Sequence, residues 1–174
     1  MKKLSEHNRE KLIDLLSERL AFERASVRLY DTILERLDAS DGVVAFREEI
    51  QHNRDNEKEH EEWLETQIRH LGGDADAKTE MAELVERESI GIEQVVTGDQ
   101  LLPHVMHALL AAELVDNAGW ELLMELADDA DDGDAREEFR KRLHEEEDHL
   151  LFARTANLAF ARQRVLGYER RAEV

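Results

Sequence analysis

The chain has no cysteine, a single proline and only eight glycines among its 174 residues. Without cysteine there is no disulfide, no thiolate metal site and no iron–sulfur cluster. So little proline and glycine, beside 37% charged residues, argues against a turn-rich β protein and for long helices. No apolar run approaches the ~18 residues a membrane span needs. The first stretch, MKKLSEHNREKL, is basic but lacks the apolar centre of a signal peptide, so a cytoplasmic protein is expected. Cations are also scarce: 23 Lys and Arg against 42 Asp and Glu leave a formal charge of −19. Nucleic-acid backbones and anionic membranes would be repelled, so neither is an expected partner. The length suits one domain spanning 1–174.

What the chain does have is helical periodicity. Steps of three and four keep side chains on one face, and four such stripes run through it. Ile13, Leu16, Leu20, Glu23, Val27, Tyr30, Leu34 and Leu37 form the first. Phe46, Ile50, Asn53, Glu57, His60, Leu64, Gln67 and Leu71 form the second. The third holds Leu102, Met106, Leu109, Glu113, Asp116, Trp120, Leu123 and Ala127; the fourth holds Ala135, Phe139, Arg142, Glu146, His149, Ala153, Ala156 and Phe160. Each is apolar at its ends and acidic in its middle, which a solvated charge run would not be.

Turn signals divide the stripes. Asp38–Gly42 separates the first two, with Ser40 or Asp41 as N-cap, and Asp128–Asp134 separates the last two, with Asp134 as cap. Asp128 and Gly133 fit an EF-hand loop, but Ala130 and Phe139 stand at two of its ligand positions, so no calcium site is expected. The expected layout is a helical hairpin over 8–71, a crossover over 72–99 and a second hairpin over 100–165. The crossover is too long for a turn, and Thr79–Val96 reads as a short helix with Met81, Leu84, Val85 and Ile92 inward. A connection returning along the whole bundle makes the second and third main helices parallel. The expected fold is all-α, an up-down-down-up four-helix bundle.

The two hairpins repeat one another. REEI at 47–50 recurs as REEF at 136–139, and EKEHEEW at 57–63 aligns with EEDHLLF at 146–152. Glu23 precedes the Glu57/His60 pair by 34 residues; Glu113 precedes the Glu146/His149 pair by 33. Glu-x-x-His places both side chains on one face, about one turn apart. Two such pairs and two single glutamates bring four carboxylates and two imidazoles to one level of the bundle. Their charge balances two divalent cations, and the donor set suits iron, manganese or zinc. Left without metal, four carboxylates at core positions would be costly.

This six-residue pattern, with an aromatic seven residues after each single glutamate (Tyr30 and Trp120), resembles the ferritin-like superfamily. Its members include ferritins, bacterioferritins, rubrerythrins and manganese catalases. The resemblance covers both hairpins, is nearest in pattern to the rubrerythrin di-iron domain, and implies two iron ions, or alternatively manganese, on Glu23, Glu57, His60, Glu113, Glu146 and His149. Asp116, one turn beyond Glu113, resembles the extra acid of rubrerythrins and is either a ligand or near-ligand, or an acceptor for a coordinated histidine. Tyr30 is either a redox relay or a core aromatic bonded to a ligand carboxylate. Asn53 and Arg142 are expected to support the ligands, and His104, His107, His7, His52, His70 and His144 to be exposed. The implied activity is oxidation or peroxidation with dioxygen or hydrogen peroxide. The electron donor would be external, since no rubredoxin-type cysteines are present. Ferroxidase or iron-storage activity and di-manganese catalase activity are the alternatives. A homo-oligomer, a dimer or larger, is expected.

Overall fold

The computed structural model describes residues 1–37, 44–98 and 101–167. The expected turn at Asp38–Gly42, with its Ser40 or Asp41 cap, lies outside these. The described residues form five helices and no strand: α1 (Lys2–Arg36), α2 (Val44–His70), α3 (Glu80–Gly98), α4 (Leu102–Asp129) and α5 (Gly133–Leu166). None is long and apolar enough to cross a membrane.

Local chemistry sets most helix boundaries. Asn8 breaks the helical backbone inside α1 (φ −157°, ψ 89°), and its Oδ1 accepts from Lys11 N at 3.1 Å. The long part of α1 therefore starts with an asparagine cap. Gly72 follows α2 in the left-handed region (φ 83°), and Gly73 N reaches back to Ile68 O, closing the last turn. Thr79 Oγ1 accepts from Ala82 N at the start of α3. Between α4 and α5, Asp131 takes a positive φ of 53°. Asp132 is the N-cap of α5, accepting from Ala135 N. This corrects the expected cap at Asp134, which sits inside the first turn instead.

Contacts fix the relative directions of the long helices. Tyr30 and Glu23 on α1 bond Glu113 and Trp120 on α4. Asp31 and Arg24 meet Arg54 and Glu65 on α2. Asn56 and His60 on α2 meet His149 and Glu145 on α5, and Met106 and Asp128 on α4 meet Asn157 and Arg136. In all four pairings residue numbers rise along one helix as they fall along the other, so each pair runs antiparallel. α3 lies against α1 and α4.

The core has two apolar clusters. One gathers Leu29, Ile33, Ile50, Met106, Leu109 and Ala153 with Val85 and Val96 of α3. The other gathers Leu16, Leu20, Leu64, Ile68, Leu123 and Phe139. Burying a leucine-sized side chain stabilises by roughly 1.5–3 kcal/mol, so these clusters carry the polar layer between them. The expected stripes hold at most positions, although Ile13, Val27, Phe46, Gln67, Leu71, Leu102 and Phe160 are only half-buried and Ile68 is buried beside Gln67. In α3 the buried stripe is Ala82, Val85, Ser89 and Val96. Leu84, expected inward, is exposed.

Candidate metal centre

Between the apolar clusters lie Glu23 from α1, Glu57 and His60 from α2, Glu113 from α4, and Glu146 and His149 from α5. Each is at most 2% exposed. Two overlapping groups form among them. Glu23, Glu57, His60 and Glu146 each offer a ligand atom within 4.8 Å of the others, and so do Glu57, Glu113, Glu146 and His149. Glu57 and Glu146, on opposite α2 and α5, belong to both. All six residues expected from the sequence are thus brought together.

Four of the six ligand candidates, Glu23, His60, Glu113 and His149, are held from outside. Tyr30 Oη donates to Glu113 Oε1 at 2.6 Å, and Trp120 Nε1 donates to Glu23 Oε1 at 2.8 Å. The arrangement is reciprocal: the aromatic of each hairpin fixes the single glutamate of the other. Of the two readings of Tyr30, the bond to a ligand carboxylate is present. Asn53 Nδ2 in turn donates to Tyr30 Oη at 3.4 Å. His60 Nε2 lies 2.9 Å from Glu145 Oε2, and His149 Nε2 lies 3.3 Å from Asn56 Nδ2.

The inward atoms are different. Glu23 Oε2, Glu113 Oε2, both oxygens of Glu57, both of Glu146, and Nδ1 of His60 and of His149 are buried and make no hydrogen bond. His60 Nδ1 comes within 2.9 Å of Glu146 Oε1, and His149 Nδ1 within 3.3 Å of Glu57 Oε1, but neither contact has hydrogen-bond alignment. Buried polar atoms are almost always paired. Here the six side chains bind outward through one atom wherever they have an outer partner and leave the rest aimed at a common space. That donor set fits divalent cations.

The electrostatics point the same way. Burial pushes Glu57 well above the usual carboxylate range, and the charges of Glu146 and Glu23 add to it. Glu113 is pushed up to about 8, mainly by burial, with the nearby His149 opposing. Glu146 is also penalised by burial, yet His149 and His60 hold it well below the usual range. Burial disfavours protonation of both histidines, but the surrounding carboxylates outweigh it and raise them. Protons thus serve as the apo form's substitute for cations.

Asp116 stands outside both groups. Its Oδ1 accepts from Arg19 Nη1 at 2.8 Å, and its Oδ2 lies 3.5 Å from Ser26 Oγ. Both ligand histidines have other outer partners. Burial and the Glu146 and Glu23 carboxylates raise the Asp116 carboxyl, while Arg19 opposes them. Arg19, 1% exposed, escaped the sequence reading because the apolar Leu20 beside it fills the same turn of the stripe and a lone arginine reads as a surface charge. Its traces are Asp116 and Gly119 on the facing helix: a Cβ on Gly119 would come within 2.2 Å of the guanidinium. Arg142 is buried as expected, but it stacks 3.7 Å from the Trp63 ring centre and bonds Glu138, so it supports the aromatic wall beside Trp120. Glu145 and Asn56 were also missed. Each immediately precedes a ligand glutamate, a matched place in the two repeats. Among the remaining histidines His104 is half-buried, and His7, His52, His70, His107 and His144 are exposed.

A cleft of about 400 Å³ opens along the α2–α5 seam, lined by Glu49, His52, Asn56, Glu145, Asp148 and His149, among others. It reaches the outer edge of the centre. The fold and site define a helical bundle with buried carboxylate–histidine groups able to hold a metal ion. No protein-family model matches the chain, and no curated protein matches it in sequence.

Proposed function

We propose that the chain is a single-domain, ferritin-like di-iron protein that reacts with hydrogen peroxide or dioxygen as a peroxidase or oxidase. The observation that carries this reading is the set of eight buried, unpartnered donor atoms on six side chains of four helices. An up-down-down-up arrangement of α1, α2, α4 and α5 is supported by their four antiparallel pairings, with α3 in the crossover.

In this reading Glu23, Glu57, His60 and Glu146 would hold one ion, and Glu57, Glu113, Glu146 and His149 the other. Manganese suits the same donors. When bound, a pair of iron ions supplies one electron from each, the two electrons that reduce peroxide to water. The protein's part is to fix the donors and keep the interior dry. Tyr30 and Trp120 orient the single glutamates, and the flanking apolar clusters exclude bulk water on both sides. Asp116, with Arg19, sets the charge beside the centre. Electrons for a further turnover come from an external donor. A cytoplasmic homo-oligomer is part of the proposal.

One observation favours a second reading, iron oxidation and handling. The α2–α5 cleft carries Glu49, His52, Glu145 and Asp148 toward His149, a lining suited to incoming cations. Mixing anaerobic ferrous-loaded protein with each oxidant in a stopped-flow instrument tests both. Near-ultraviolet absorbance should rise within the dead time to seconds. Oxidation limited to about two irons per chain favours the peroxidase reading, and continued uptake of ferrous iron favours handling. Protein that stays ferrous with both oxidants contradicts redox function.

A further inference from the structure

We propose that Glu145 makes the two metal positions unequal, so that the His60 position binds a divalent ion more tightly than the His149 position. The inference rests on the two-ion reading above. His60 Nε2 lies 2.9 Å from Glu145 Oε2. An ionised carboxylate accepts hydrogen bonds and cannot donate one, so Nε2 keeps its ring hydrogen and Nδ1 is the nitrogen left for a metal ion, which would take the place of any proton there. That nitrogen faces the centre, 2.9 Å from Glu146 Oε1 and 3.6 Å from Glu23 Oε2. Glu145 therefore holds the Nε2 hydrogen outside and fixes Nδ1 as the nitrogen offered to the centre. Its negative charge also makes the inner nitrogen a stronger donor.

In the other repeat the matching place holds Asn56, whose amide lies 3.3 Å from His149 Nε2. An amide is neutral and can turn either end to the ring. With its nitrogen toward a bare Nε2, it donates, and the ring hydrogen is then on Nδ1, where it blocks a metal. With its oxygen toward the ring, it accepts from Nε2–H and frees Nδ1. Asn56 thus neither selects the form of His149 nor adds charge. The other donors are matched across the two positions. Each has one single glutamate held at one oxygen by an aromatic of the opposite hairpin, and both use Glu57 and Glu146. Among the groups that bond the six side chains directly, the difference in charge is one carboxylate against one amide.

Calorimetric titration of the metal-free protein with Zn²⁺, with a competing chelator to reach the tighter step, tests the proposal without turnover. The wild type should bind two ions in steps separated by at least about tenfold. Glu145→Gln should weaken the tighter step by roughly 10–100-fold, the usual effect of losing such an outer partner, and Glu145→Asp should restore much of it. Asn56→Asp, which leaves Glu145 in place, should strengthen the weaker step and narrow the gap from the other side. With one equivalent of Co²⁺, the paramagnetically shifted ring N–H signal should belong to His60. Two equal steps in the wild type, or a gap unchanged in both Glu145→Gln and Asn56→Asp, would overturn the inequality and leave the two-ion reading standing. Fewer than two ions bound to the wild type would overturn both.

Discussion

Tyr30 Oη and Glu113 Oε1 are 2.6 Å apart, with both residues fully buried. The hydroxyl also accepts from Asn53, so Tyr30 couples α1, α2 and α4 at the level of the centre. Burial and the Glu113 and Glu57 charges raise its phenol well above the usual value, which keeps the proton on Tyr30 and makes it the donor. Tyr30→Phe leaves a buried carboxylate oxygen without its donor and Asn53 without its acceptor. A loss of about 1–3 kcal/mol in the metal-free form is expected, read by chemical denaturation, with metal stoichiometry unchanged. Slower turnover at full stability would instead favour the redox-relay role.

Arg19 offers a test of the charge beside the centre. Its guanidinium pairs with Asp116 and packs over the Phe22 ring. Arg19→Ala strands Asp116, and breaking a buried pair costs about 3–5 kcal/mol, toward the lower value where Asp116 can take up a proton. Gly119→Ala should displace the same guanidinium and destabilise strongly. In the Arg19→Ala background the Gly119→Ala change should become neutral or stabilising by up to ~1 kcal/mol, because alanine suits a helix better than glycine. Additive losses in the double variant would refute the coupling.

The pH dependence of stability should differ between metal-free and loaded protein. Glu113 goes from an ordinary value of 4.5 to about 8 in the fold, and Glu57 is shifted the same way. Between those limits the native state holds protons that the unfolded chain has released. Metal-free stability must therefore fall as pH rises from about 4.5 to about 8. The raised histidines contribute in the same direction, their stabilisation being lost as pH passes above 6.5 through their folded values. Bound metal replaces those protons and removes the decline. Melting curves at pH 5.5 and 8.5, with chelator or with metal, should show it, and Glu113→Gln should flatten the metal-free slope. A metal-free form that gains stability over this range contradicts the assignment.

The candidate centre was legible in the sequence because the six residues that form it obey helical periodicity and occur twice. Glu23 with Glu57 and His60, and Glu113 with Glu146 and His149, needed only the three- and four-residue steps and the repeat. The residues missed are those whose roles depend on what faces them across a helix pair. Glu145 and Asn56 sit beside ligands but off the inward stripe, so their bonds to His60 and His149 depend on α2–α5 packing. Arg19 looks like a surface charge until α4 brings Asp116 and Gly119 against it. The cap moved from Asp134 to Asp132 because Asp131 turns the chain in the left-handed region, which places the cap two residues earlier. Leu84 faces outward because α3 buries a narrow stripe of small residues, Ala82, Val85 and Ser89, against its neighbours.

Metal content is the measurement closest to the central claim. Protein loaded with excess Fe²⁺ under anaerobic conditions, desalted and analysed by inductively coupled plasma mass spectrometry should retain two ions per chain. Glu146→Ala, which removes a carboxylate common to both groups, should lose most of that metal, with helical circular dichroism preserved. Wild-type protein that retains one ion or none, or a Glu146→Ala variant that retains two, would contradict the account.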